Sequence, residues 1–251
     1  MTRHILQGRS DDEVLWWQRR SFVQAASAWV AMGGFAAARA QQRSNIVELQ
    51  GDARVNGEAL TRERIIQTGD HIETGPNSEL VFVIGNSSFK VRQNSRLDVE
   101  RGTSLFTVSV LRLVTGAIAA VWGKGTSRQV VTPTITAGIR GTGMYTEVFA
   151  AQGDRTYFCN CYGVIDVDSG PDRVVSQSSY HQSFWGEVNP KGGHYLTAAN
   201  AINHTDEELE FLAKLVDQRT AWQIAGRKGV HNGMGYMDPE PPAMHPANQL
   251  K

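Results

Sequence analysis

The stretch RQVVTPTITAGIRGTGMYTEVF, residues 128–149, decides the fold. Its Val, Ile, Thr and aromatic residues fall in short runs closed by glycine or proline, the pattern of strands separated by turns. Gly138, Gly141 and Gly143 mark a bend or a close approach of two backbones, where a side chain has no room. The same text continues outward in both directions, from Asn45 to about Val188, in runs such as NIVELQG, SELVFVIGNSSFKV, RLDVERG and TYFCNCYGVIDVDSG. IGNSSF (84–89) and VDSGPDRV (167–174) carry tight-turn chemistry, because Asn, Asp and Gly tolerate the positive φ that hairpin turns require. LRLVTGAIAAVWG (111–123) is apolar enough for a fully buried strand pair. The body of the chain is therefore expected to be mainly β.

Toward the C-terminus the period changes. In NHTDEELEFLAKLVDQRTAW (203–222), Thr205 is placed to cap a helix and Glu208 to complete a capping box. Asp206, Glu207 and Glu208 face the positive end of the helix dipole. Leu209, Leu212, Leu215 and Val216 make one apolar stripe, so the text predicts a single amphipathic helix over 205–225, stopped at Gly226. Residues 227–251 are rich in glycine and proline without periodicity and are expected to be a disordered tail.

The N-terminus reads as an address rather than as structure. QRRSFVQ (18–24) precedes the apolar AASAWVAMGGFAAARA (25–40). Arg19, Arg20 and Phe22 resemble the twin-arginine export signal, and the stretch from Ser21 to Ala38 is too short and too diluted for a secure membrane span, which needs about 20 apolar residues. A small-x-small site at Ala38–Ala40 places the mature start at Gln41. The expected organisation is a signal over 1–40, a β domain over 41–190, a helical extension over 191–226 and the tail. The expected location is the bacterial periplasm, with no stable membrane span once the signal is removed.

The chain of 251 residues holds 25 basic and 25 acidic residues; without residues 1–40 the balance is 20 to 22. No basic excess exists to attract nucleic acid. Two cysteines, Cys159 and Cys161, exclude a disulfide framework. On a strand, residues two apart share a face with β-carbons about 6.6 Å apart, whereas a disulfide requires about 3.5–4.5 Å. Three states stay open for the pair: ligands of a thiolate-bound metal, a disulfide across a bent backbone with redox activity, or packed thiols. Four histidines follow within the domain or at its edge, His181, His194, His204 and His231. A hairpin turning at 168–172 brings residues near 180 beside residues near 160, which makes His181 the expected third ligand. No Gly-x-Ser-x-Gly, phosphate-cradling loop or His-Glu-x-x-His occurs, and the chain is not expected to be an enzyme.

Three stretches together resemble the FecR-type domain, the periplasmic module of ferric-citrate-type sensors. They are TGDHIETGPNSELVFVIGNSSFKVRQNSRLDV (68–99), VVTPTITAGIRGTGMYTEV (130–148), with the signature Thr132, Pro133, Arg140, Gly141 and Thr142, and CYGVIDV (161–167). The resemblance implies a twisted, solenoid-like stack of short antiparallel strands. The signature residues read as architecture, with Arg140 pairing a carboxylate or carbonyl at the bend. The family's cytoplasmic arm, which binds a sigma factor, has no counterpart in residues 1–18, too few to fold alone. The expected role is then a periplasmic binding or interaction module in envelope signalling or metal-related regulation, partnered by an envelope protein or a periplasmic ligand. The alternative is a metal- or cofactor-bearing redox protein centred on Cys159 and Cys161.

Overall fold

A computed structural model describes residues 44–125 and 127–228 and the backbone of His245 and Pro246. Arg19, Arg20, Phe22, the cleavage site and His231 lie outside the described residues.

The elements run β1 (Ile46–Gln50), β2 (Ala53–Val55), β3 (Glu58–Ala59), β4 (His71–Thr74), β5 (Glu79–Ile84), β6 (Ser87–Val91), β7 (Arg96–Arg101) and β8 (Val108–Trp122). Then come β9 (Arg128–Val131), β10 (Thr136–Ile139), β11 (Gly143–Phe149), β12 (Arg155–Ser169), β13 (Asp172–Ser178), β14 (Gln182–Lys191) and β15 (His194–Ala199). Helices α1 (Asp206–Leu215) and α2 (Ala221–Ala225) and a two-residue strand β16 (His245–Pro246) complete the described chain.

Mainly β is what the strand text predicts and what the chain forms, but the arrangement is not a solenoid-like stack. Two strands of 15 residues, β8 and β12, each serve two sheets. The N-terminal half of β8 pairs with β7 and β9, and its C-terminal half with β6 and β11. The N-terminal half of β12 pairs with β11 and β14, and its C-terminal half with β10 and β13. The first sheet is thus ordered β1-β5-β6-β8-β11-β12-β14-β15, and the second β3-β2-β4-β7-β8-β9-β10-β12-β13-β16. β8, β9, β10, β12 and β11 close a five-stranded ring that joins the two sheets. A solenoid would instead repeat one pairing from coil to coil.

Glycine makes both corners. Gly116 has φ +80 and Gly163 φ +106, conformations that side-chain-bearing residues rarely adopt. At Gly116 a Cβ would stand 2.5 Å from the Ser95 Cα; at Gly163 it would stand 2.7 Å from the Thr142 Cβ. LRLVTGAIAAVWG is therefore one strand bent at its glycine, not a pair of strands. Both expected hairpins form, joining β5 to β6 and β12 to β13.

Strand alternation separates two apolar layers. Ile118, Ala120 and Trp122 of β8 enter the core between the sheets, with Phe82, Phe89 and Phe158. Ala117, Ala119 and Val121 face outward, with Tyr145, Tyr157, Cys159 and Cys161, and Leu209, Leu212 and Ala213 of α1 cover that outer face.

Thr205 and Glu208 form the expected capping box. The expected single helix over 205–225, however, is divided: Asp217 takes φ +54, and Thr220 with Gln223 forms a second capping box that starts α2. Gly226 ends α2 in the left-handed conformation, as expected. Arg227 and Lys228, assigned from sequence to the unstructured tail, are bonded to the helices: the Arg227 N–H donates to Trp222 O at 3.2 Å, and Lys228 meets Asp206 at 3.1 Å. No helix among the described residues is long and apolar enough to cross a membrane.

Candidate metal centre

Cys159 and Cys161 stand on the outward face of β12, both free and fully buried. Two residues apart on a strand they share that face, and their Sγ atoms are 3.7 Å apart. His181 arrives from the link between β13 and β14. Its N–H donates to Cys161 O at 2.9 Å, and β14 then pairs alongside the cysteine segment, with Ser183 opposite Cys159. His181 has φ +47; the other non-glycine residues with positive φ among those described are all Asn or Asp. A buried histidine held in that conformation is the kind of backbone strain found at functional sites. His204 comes from the segment leading into α1, between Asn203 at φ +60 and the N-cap Thr205.

The four donor atoms lie within 4.8 Å of one another. His181 Nδ1 is 3.6 Å from Cys159 Sγ and 3.0 Å from His204 Nε2. The far nitrogen of each ring is engaged: His181 Nε2 donates to Asp206 Oδ1 at 2.8 Å, and His204 Nδ1 donates to Ile202 O at 2.6 Å. A carbonyl only accepts, so Nδ1 of His204 carries its proton, and the lone pairs of Nδ1 of His181 and Nε2 of His204 then face each other. Two lone pairs at that distance repel unless a cation, a proton or a metal, sits between them. Second hydrogen bonds of this kind orient imidazoles that ligate metals. Aromatic rings fix both planes: Tyr145 stacks on His204 at 4.8 Å between centroids, and Trp222 on His181 at 5.2 Å.

The charges fit a cation as well. Burial pushes the Cys161 thiol up. Burial also opposes the Cys159 thiolate, but the Cys161 hydrogen bond, His204 and His181 outweigh it and hold Cys159 well below its ordinary range. For His181, burial disfavours the imidazolium, yet Asp206 and Cys159 raise its pKa to about 9. Asp206 is held at about 2: burial works against its charge, and His181 and Lys228 overcome that.

Tetrahedral zinc has bonds of about 2.3 Å to sulfur and about 2.0–2.1 Å to nitrogen. These place two sulfurs roughly 3.8 Å apart, sulfur and nitrogen roughly 3.5 Å, and two nitrogens roughly 3.3 Å. The corresponding separations here are 3.7, 3.6 and 3.0 Å. These three separations are close to those of one four-coordinate ion, within a donor set that spans up to 4.8 Å.

Of the residues expected from sequence, Cys159, Cys161 and His181 come together. His194 stands apart beside Asp172, at 3.6 Å. His204 joins the centre without having been singled out; its only sequence signal is its place just before the N-cap of an amphipathic helix. Arg140 pairs with Asp166 at 2.6 Å on the surface. Gly141 takes φ +88, and Thr142 donates to Asn160 Oδ1 at 3.2 Å beneath the Gly163 corner. Thr132 closes the β9–β10 turn around Pro133 by accepting the Ile135 N–H at 2.9 Å. All five signature residues thus shape turns and corners and do not touch the metal-like centre.

No family's sequence profile matches the chain, and no curated protein matches it. Two crystal structures from Parabacteroides distasonis ATCC 8503, provisionally described as anti-sigma factors, are similar to it at a distance. One, at 12% identity and TM-score 0.42, aligns over 54% of this chain and 60% of its own, so this chain spans under two thirds of that protein. The other, at 10% identity and TM-score 0.43, aligns over 72% and 86%.

Proposed function

We propose that this chain is an exported binding module of the FecR type whose working centre is one metal ion of the zinc class, held by Cys159, Cys161, His181 and His204. The observation that carries the metal reading is the convergence of two thiols and two imidazole lone pairs on one point. Four protein ligands fill a tetrahedral shell and leave no open position for substrate, which favours binding over catalysis. Thiolates with imidazoles select zinc over magnesium or calcium. The export assignment supports the same reading, since a chain that folds and loads its ion in a reducing compartment carries its thiols into the periplasm already ligated. The FecR assignment rests on the sequence pattern, and the architectural places of Thr132, Pro133, Arg140, Gly141 and Thr142 agree with it. Its partner is then an envelope protein or a periplasmic ligand.

The test is elemental analysis of the full chain purified anaerobically, with cobalt(II) replacing the native ion. We expect one zinc per chain and an intense thiolate-to-cobalt charge-transfer band with tetrahedral d–d bands. Cys159→Ser, Cys161→Ser and His204→Ala should each lose stoichiometric binding. A wild type with two titratable thiols that takes up no metal would refute the reading, and a titratable disulfide would favour the redox alternative.

A further inference from the structure

The four ligands do not come from one part of the chain. Three belong to the β-body, whereas His204 belongs to the segment 200–228 that crosses its outer face. The other anchors of that segment converge on the same point. Asp206 accepts from His181 Nε2, Trp222 lies on the His181 ring, and Tyr157 accepts the Ile202 N–H at 3.1 Å beside Cys159. One imidazole therefore carries three contacts from the segment: the facing nitrogen of His204, a carboxylate and an indole. Beyond them, α1 places Leu209, Leu212 and Ala213 on Ala117, Ala119, Val121 and Tyr145, and Glu208 bridges Lys90 and Arg92 at 3.0 and 2.7 Å.

The core between the two sheets contains no residue of 200–228. That core and its ladders do not depend on the segment, whereas the segment is anchored both at the centre and along α1. The centre is also reachable. A cleft of about 340 Å³ lined by Tyr180, His181, Ile202, His204, Asp206 and Lys228 opens beside the two ligand rings. The cleft reaches the imidazole side of the centre, while the two cysteines lie buried behind it.

We propose that the ion is a removable clasp: loaded, it holds segment 200–228, with α1 as the occupant, over the outer face of the first sheet; withdrawn, it lets the segment lift while the β-body stays folded. This rests on the metal reading above. Removing the ion takes away the bonds that tie His204 to the two cysteines and His181, and the ligand freest to move is the one carried on a helical arm rather than those on the ladder. Local opening of that kind is the ordinary behaviour of a peripheral element whose main tether is released.

The experiment is hydrogen exchange with mass-spectrometric readout on the full chain under reducing conditions, zinc-loaded and chelator-stripped, with metal content measured on the same samples. Amides of Glu207–Leu215 and Ala221–Ala225 should exchange about 100-fold faster without metal, while those of β8 and β11 keep their protection. His204→Ala, which removes the arm's own ligand together with its stack on Tyr145, should reproduce the effect in the presence of zinc. Two outcomes overturn the clasp while leaving the metal reading intact: unchanged protection of α1 in a sample shown to be stripped, or equal loss across α1, β8 and β11. A chain that binds no zinc overturns both, and the metal content of the sample identifies that case.

Discussion

Gly116→Ala tests the corner on which both sheets depend. Gly116 sits at φ +80, and a Cβ there would lie 2.1 Å from the Ser95 hydroxyl oxygen and 2.5 Å from the Ser95 Cα. Two costs add. A side-chain-bearing residue in the left-handed region costs about 1–2 kcal/mol. Forcing a carbon into filled space costs about 1–3 kcal/mol as neighbours shift. Ser95 can give little, because its N–H donates to Thr74 Oγ1 at 2.9 Å and its hydroxyl accepts the Ala117 N–H at 3.0 Å. We expect a loss of about 2–5 kcal/mol. Gly153 supplies the comparison, with φ +73 and nothing within 4 Å of its hypothetical Cβ, so Gly153→Ala should show the backbone cost alone. In urea unfolding followed by tryptophan fluorescence, with a slope of about 2–3 kcal/mol per molar, the midpoint should fall by about 1–2 M for Gly116→Ala. The fall for Gly153→Ala should stay below about 1 M. Equal shifts in the two variants would refute the argument, since crowding against Ser95 would then contribute nothing.

Thr220→Ala removes the acceptor for the Gln223 N–H and should cost about 1 kcal/mol, read as a lowered unfolding midpoint; no change would mean that the packing of Trp222 alone positions α2. Arg140→Ala breaks an exposed ion pair with Asp166 and should change stability by less than about 1 kcal/mol, so a larger loss would show that the signature arginine holds more than its surface partner. Replacing Arg19 and Arg20 together by Lys keeps the charge but removes the paired guanidinium groups; the precursor should accumulate in the cytoplasm, and normal export, followed by fractionation, would end the twin-arginine assignment.

Much of this was legible in local text, and the rest was hidden for definable reasons. The hairpins at 84–89 and 167–174 were readable because turn chemistry is local. Strand alternation put Cys159 and Cys161 on one face, and the nearby chain reversal brought His181 to them. It did so by a different route from the simple hairpin: β13 pairs with the far half of β12, and β14 returns beside the cysteines. His204 was beyond reach of any spacing rule, because its distance to Cys159 depends on how α1 docks. The glycines of VTGAI and CYGVI were visible as interruptions inside strand text, but a bend that carries one strand into two sheets is a tertiary fact, so a stack of separate short strands was the natural expectation. The division of the helix was the avoidable error, because Thr220 and Gln223 repeat the Thr-x-x-Gln/Glu spacing already recognised at Thr205 and Glu208.

The cover over the outer face has a consequence for synthesis. The Ser88 hydroxyl donates to the Leu212 carbonyl oxygen across 124 residues. At about 5–20 residues per second, roughly 6–25 s separate the emergence of β6 from that of the helix that shields it. Throughout that interval Val81, and then Ala117, Ala119, Val121 and Tyr145, reach the cytoplasm as a bare apolar surface on a half-made sheet. The ribosome-bound chain is therefore most vulnerable to aggregation after β11 has emerged and before α1 has, and a nascent chain arrested near residue 200 should be the species that chaperones bind most tightly.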